Sequence, residues 1–126
     1  MKGIDAREAQ RAVALGREIL ERGKVGIGDV QEFHRFLDKQ KGFSPDMFLN
    51  VALLVEELGE VVKETRALLW DSDLSDHDRE QVRGRIGEEL ADCLAYLAKL
   101  ANYAGADLEA AYLTKMHRNI ERNWKR

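Results

Sequence analysis

Four carboxylates crowd one short stretch of this chain. In LLVEELGEVVKE (53–64), Glu56, Glu57, Glu60 and Glu64 recur on neighbouring helical turns. Like charges at i,i+4 repel on a helix, and the stretch holds two such pairs, Glu56/Glu60 and Glu60/Glu64. A second acidic segment, EELADCLAY (88–96), adds Glu88/Asp92 at the same spacing and sets Glu89 and Asp92 three residues apart. At an effective dielectric near 20, carboxylates about 6 Å apart repel by roughly 3 kcal/mol per pair. A divalent cation placed among them reverses that sign. All-oxygen ligation favours a hard ion, Mg²⁺ with Mn²⁺ as substitute, and Mg²⁺ is typically held by a few carboxylates plus substrate phosphates. A di-iron bundle would need Glu-x-x-His motifs. None of His34, His77 and His117 has a Glu three residues before it. The competing reading is that these carboxylates form ordinary solvated helix faces.

The elements that must position them are helices. On a wheel turned about 100° per residue, the third helix gathers Leu54, Leu58, Val61, Val62, Leu68 and Leu69 in one arc. Glu57, Glu60 and Glu64 border that arc, and Glu56 lies further out. In the fourth helix Ile86, Leu90, Cys93, Leu94, Leu97 and Leu100 form the arc, with Glu89, Asp92 and Tyr96 at its edge. If the two helices are antiparallel neighbours, the two acidic pairs face one another across a groove.

Local signals divide the rest of the chain. A helix over 5–23 carries a loose apolar stripe of Ala9, Val13, Leu15, Ile19 and Leu20, and GKVGIG (23–28) breaks it as a turn. Asp29 is placed as the cap of a second helix over 30–40, with Val30, Phe33 and Leu37 facing inward. In KGFSPDMF (41–48), Gly42 ends that helix, Ser44 caps the next and Pro45 takes its first position. The third helix runs to about Trp70. DSDLSDHD (71–78) interrupts, with Ser75 and Asp78 at capping-box spacing, and a fourth helix continues to about Tyr103. Gly105 closes it, and Asp107 caps a fifth. Lys115, Asn119 and Arg122 fall on one face of that last helix, suited to phosphates and sugar, or else to an ordinary basic helix C-terminus. Base contacts would come from Tyr96, Phe43 or Phe48, the two phenylalanines being expected in the core. Trp70 and Trp124 are expected to pack, and Cys93 to be a buried thiol.

The totals agree with one all-α domain. The chain has 126 residues, 44% of them hydrophobic, with a single proline and few β-branched runs. A net charge of −3 argues against long nucleic acid as a partner, although residues 115–126 are basic. The lone Cys93 suits a reducing compartment. No apolar run approaches the ~20 residues that span a bilayer. Residues 1–24 lack the apolar core of a secretory signal and carry acids that a mitochondrial presequence avoids, so a cytoplasmic location is expected.

Taken in order, EELGE (56–60) and EELAD (88–92) resemble the EExxE…ExxD signature of the MazG-like all-α nucleoside triphosphate pyrophosphohydrolases. That superfamily also includes dimeric dUTPases, dCTP pyrophosphatases and phosphoribosyl-ATP pyrophosphatases. The 28 residues between Glu60 and Glu89 sit at the long end of what the signature permits. GADLEAAYLTKMHRNIERN (105–123) is similar to the family's C-terminal segment, so the resemblance spans 29–123. It implies a four-helix bundle core, with residues 1–28 appended as an N-terminal helix and turn, assembled as a homodimer or homotetramer with sites at subunit contacts. It also implies Glu57, Glu60, Glu89 and Asp92 as metal ligands, and Tyr96 as an aromatic that some members carry. Glu56 matches a glutamate that some members lack, and either Glu56 or Glu64 could activate water. The implied reaction is Mg²⁺-dependent hydrolysis of a nucleoside triphosphate between its α and β phosphates. Phosphoribosyl-ATP hydrolysis and a non-catalytic helical interaction module stand as alternatives.

Overall fold

The structure, a computed structural model, describes residues 5–122, with only the backbone of Ala12. Trp124 and the other residues beyond 122 lie outside the described part. Among the described residues five helices follow in order: α1 (Ala6–Glu21), α2 (Ile27–Lys41), α3 (Met47–Trp70), α4 (Asp76–Ala104) and α5 (Leu108–Glu121).

Their ends follow local chemistry. Gly42 and Gly105 close α2 and α4 in the left-handed conformation, at φ 66° and 69°. Ser75 and Asp107 cap α4 and α5, accepting from the N–H groups of Asp78 and Ala110. Two starts differ from the sequence expectation. α2 begins three residues early, at Ile27, and Asp29 reaches back to accept from the Gly26 N–H at 2.9 Å instead of capping. That bond, with Arg22 beside it, holds the Asp29 carboxyl below its usual range. At α3 the cap is Asp46, bonded to Leu49 N–H at 2.7 Å, because Pro45 precedes the helix and Ser44 instead accepts from Asp46 N–H.

α3 and α4 form the main hairpin. Leu68 pairs with Arg79 and Glu64 with Arg85, and Glu57 lies beside Glu89, so the helices run in opposite directions. α2 lies antiparallel along the C-terminal half of α4, joined by Gln31 to Ala106 and by Arg35 to Asn102. α1 packs on α2, and a Cβ at Gly16 would stand 2.8 Å from the Phe33 ring, so the glycine permits that close approach. α5 also rests on α2.

The core is small: Ile19, Val82, Cys93, Ala98 and Ala101, joined by buried Gln31, Asp38, Asn50 and Lys99. The inward residues expected on α2 are only partly covered, and its most buried positions are polar. The two apolar arcs are likewise half filled. Leu58, Val62 and Leu69 on α3 and Leu90, Leu94 and Leu97 on α4 remain exposed, because a two-helix seam is narrower than arcs this broad. Phe43 and Phe48 are not core residues; Phe48 is 90% exposed at the start of α3, where no helix of the described residues covers it. Trp70, expected to pack, is 73% exposed with the Arg66 guanidinium over its ring. Among the described residues, no helix is long and apolar enough to cross a membrane.

Candidate functional site

The hairpin brings together carboxylates that lie 32 and more residues apart in sequence. Glu57 projects from α3, and Glu89 and Asp92 from adjacent turns of α4. One oxygen from each lies within 4.8 Å of the others. Glu57 and Glu89 are half-buried and Asp92 is exposed. A hydrogen bond to Glu57, followed by burial and the charges of Glu57, Asp92 and Glu60, pushes the Glu89 carboxyl up to about 7. Three converging oxygens, one retaining a proton close to neutrality, form a donor set with an unmet need for positive charge.

The other sequence candidates take different places. Glu60 is outside the tight trio and pairs with Lys63 at 3.9 Å, yet its charge reaches Glu89. Glu56 is exposed, and its charge reaches the Tyr96 phenol. That phenol is pushed up by burial first, then by Glu57 and Asp92, so Tyr96 borders the acidic cluster. Cys93 is buried as expected, its thiol raised by burial and the same carboxylates. Glu64 lies outside the converging trio. It accepts from Arg85 Nε at 3.1 Å and links α3 to α4.

α5 makes its main contacts with α2. Lys115 and Arg122 are exposed, while Asn119 is half-buried and donates to Met116 Sδ at 3.8 Å.

Beyond Tyr96 lies a group that the sequence reading missed. Lys99 Nζ stands 3.4 Å from Asp38 Oδ1, with side chains only 11% and 7% exposed. The same ammonium lies 4.6 Å from the Phe43 ring centre and 5.0 Å from that of Tyr96. Tyr103 donates its hydroxyl to Asp38 Oδ2, and its phenol is pushed well up by burial and that bond. His34 nearby is held below its ordinary range, first by burial, with Asp38 opposing and Lys99 reinforcing. A signal existed in AYLAKLAN (95–102), where a lysine interrupts an apolar run.

The sequence of α3 onward decides the family. The MazG nucleotide pyrophosphohydrolase domain matches residues 47–126. The chain belongs to the MazG family. No curated protein and no solved structure gives a comparable match. The MazG match includes both acidic segments and α5, while α1 and α2 precede it. Phe43, His34 and Asp38 therefore reach the site from outside the matched segment, whereas Tyr96, Lys99 and Tyr103 come from within it.

Proposed function

We propose that this MazG-family chain is a Mg²⁺-dependent pyrophosphohydrolase. Its substrate is a deoxynucleoside or non-standard nucleoside triphosphate. Water attacks the triphosphate chain, the α–β anhydride bond breaks, and the products are a monophosphate and pyrophosphate. The observation that carries this reading is the meeting of Glu57, Glu89 and Asp92 within 4.8 Å across two helices. Hard oxygen donors with one raised carboxyl fit Mg²⁺ or Mn²⁺. Glu57, Glu89 and Asp92, with Glu60 beside them, would hold the ion. Bound there, it would neutralise phosphate charge, the chief requirement of phosphoryl transfer.

The chain's own groups divide the remaining work. Glu56, exposed at the rim, orients the attacking water and takes its proton. Tyr96 lines the wall beyond Asp92 and bounds the nucleoside. Lys115, Asn119 and Arg122 bind phosphates and sugar from a second copy, since α5 of the same chain rests on α2. The exposed leucines and valines of the α3–α4 arcs support a homodimer or homotetramer. Pyrophosphate release from a broad panel of NTPs and dNTPs, with Mg²⁺ or Mn²⁺, tests the reading. No release from any of them overturns it.

A further inference from the structure

Lys99 holds chemistry that the reaction above does not use. Its ammonium has three N–H donors, and among the described residues it makes no hydrogen bond that meets ordinary geometry. Asp38 Oδ1 faces it at 3.4 Å and is itself buried without a hydrogen-bond partner. We propose that Lys99 reads the substrate's base, donating to a carbonyl oxygen on the base edge, so that keto bases are favoured over their amino counterparts. The inference rests on the pyrophosphohydrolase reading and deepens it.

Position comes first. Asp92, Tyr96 and Lys99 stand at i, i+4 and i+7 on one face of α4. Lys99 lies about 10 Å along the axis from Asp92, which is the scale of a nucleoside extending from phosphates held at the carboxylates. Phe43 and Tyr96 flank the ammonium, and Phe43 is half exposed, so a flat ring has an aromatic wall to meet.

Polarity then selects the partner. Lysine donates and never accepts. The C4 carbonyl of uracil or thymine, or the C6 carbonyl of guanine or hypoxanthine, satisfies it, whereas the exocyclic amine that cytosine or adenine carries at that position brings a second donor. Asp38 cannot take that amine, because Oδ2 is occupied by Tyr103 and Oδ1 lies buried behind the ammonium. Asp38 thus serves as a positioning residue that holds the Lys99 ammonium beside the Phe43 and Tyr96 rings.

The test compares kcat/KM within two matched pairs, dUTP against dCTP and dITP against dATP. The wild-type protein is set beside Lys99→Arg and the double variant Asp38→Asn/Lys99→Met. The double variant removes both charges together and leaves Tyr103 an acceptor, so no buried ion is stranded. The wild type is expected to favour the keto member of each pair by about tenfold or more. Lys99→Arg keeps a donor-only cation and the preference, while in the double variant the ratios fall toward one. Ratios unchanged in the double variant, or a wild-type preference for the amino members, overturn the role of Lys99 alone. Absence of pyrophosphate from all four and from every other triphosphate defeats the underlying reading, and this inference with it.

Discussion

Glu57 of α3 and Glu89 of α4 meet carboxyl to carboxyl across the helical hairpin, and Glu89 is held up to about 7 as a result. The hydrogen bond between them is the largest cause, and burial and the charges of Glu57, Asp92 and Glu60 add to it. Because the groups interact strongly, the pair and not one residue takes up the proton. The same geometry makes the site both proton-binding and cation-seeking.

Metal binding must expel that proton. Mg²⁺ affinity is therefore expected to rise between about pH 6 and pH 8, by up to about tenfold per unit below the pKa, and to level off above it. Calorimetric titration in buffers of different ionisation heat would show release of up to one proton per bound ion, the observed heat varying with the buffer's ionisation heat. An affinity flat across this interval contradicts the shared-proton site.

Stability of the metal-free protein should move the other way. The folded carboxyl titrates near 7 against an ordinary value of 4.5, so between those limits the folded state binds more protons than the unfolded chain. This contribution is favourable to folding at low pH and is lost as pH rises through 7. Melting temperature in a chelating buffer should thus fall from about pH 5 to pH 8, and Glu89→Gln should flatten that fall and raise the melting temperature at pH 8. An identical slope in the variant would refute the assignment.

Replacing Glu60 or Asp92 by Ala is expected to lower kcat/KM by about two orders of magnitude or more. Helical circular dichroism should be retained, since both groups are exposed. Full activity in either variant removes that residue from the ligand set.

The Asp38–Lys99 pair is expected to matter for folding as well as recognition. Asp38→Ala strands a buried ammonium and costs about 3–5 kcal/mol, whereas Asp38→Asn/Lys99→Met costs much less than the single change. Urea unfolding of both variants measures the difference. Equal losses would mean that the two charges are not coupled.

The exposed arcs of α3 and α4 carry a prediction about assembly. If the proposed homo-oligomer forms through these arcs, Leu94→Glu should dissociate it and abolish turnover, because α5 of a second copy would no longer reach the carboxylates. Light scattering of the wild type and the variant decides this, and a monomeric, active wild type excludes it.

Much of the architecture was legible in the residues alone, because it is local. Glycine at 42 and 105, and side-chain oxygens at Ser75 and Asp107, terminate helices through chemistry within a few residues of each end. Periodicity likewise placed Glu57, Glu60, Glu89 and Asp92 on the edges of apolar arcs, and the repulsion among them raised the expectation of a cation. Helical period says which residues share a face, but not what lies opposite. Tertiary packing alone decided that Glu57, Glu89 and Asp92 converge, that Glu64 pairs with Arg85, and that α5 rests on α2. It also left Phe48 and Trp70 uncovered and buried Lys99 against Asp38. The physical reason is that the depth and rotation of one helix on another follow from small residues at the seam, such as Gly16, Ala98 and Ala101, whose partners lie far away in sequence.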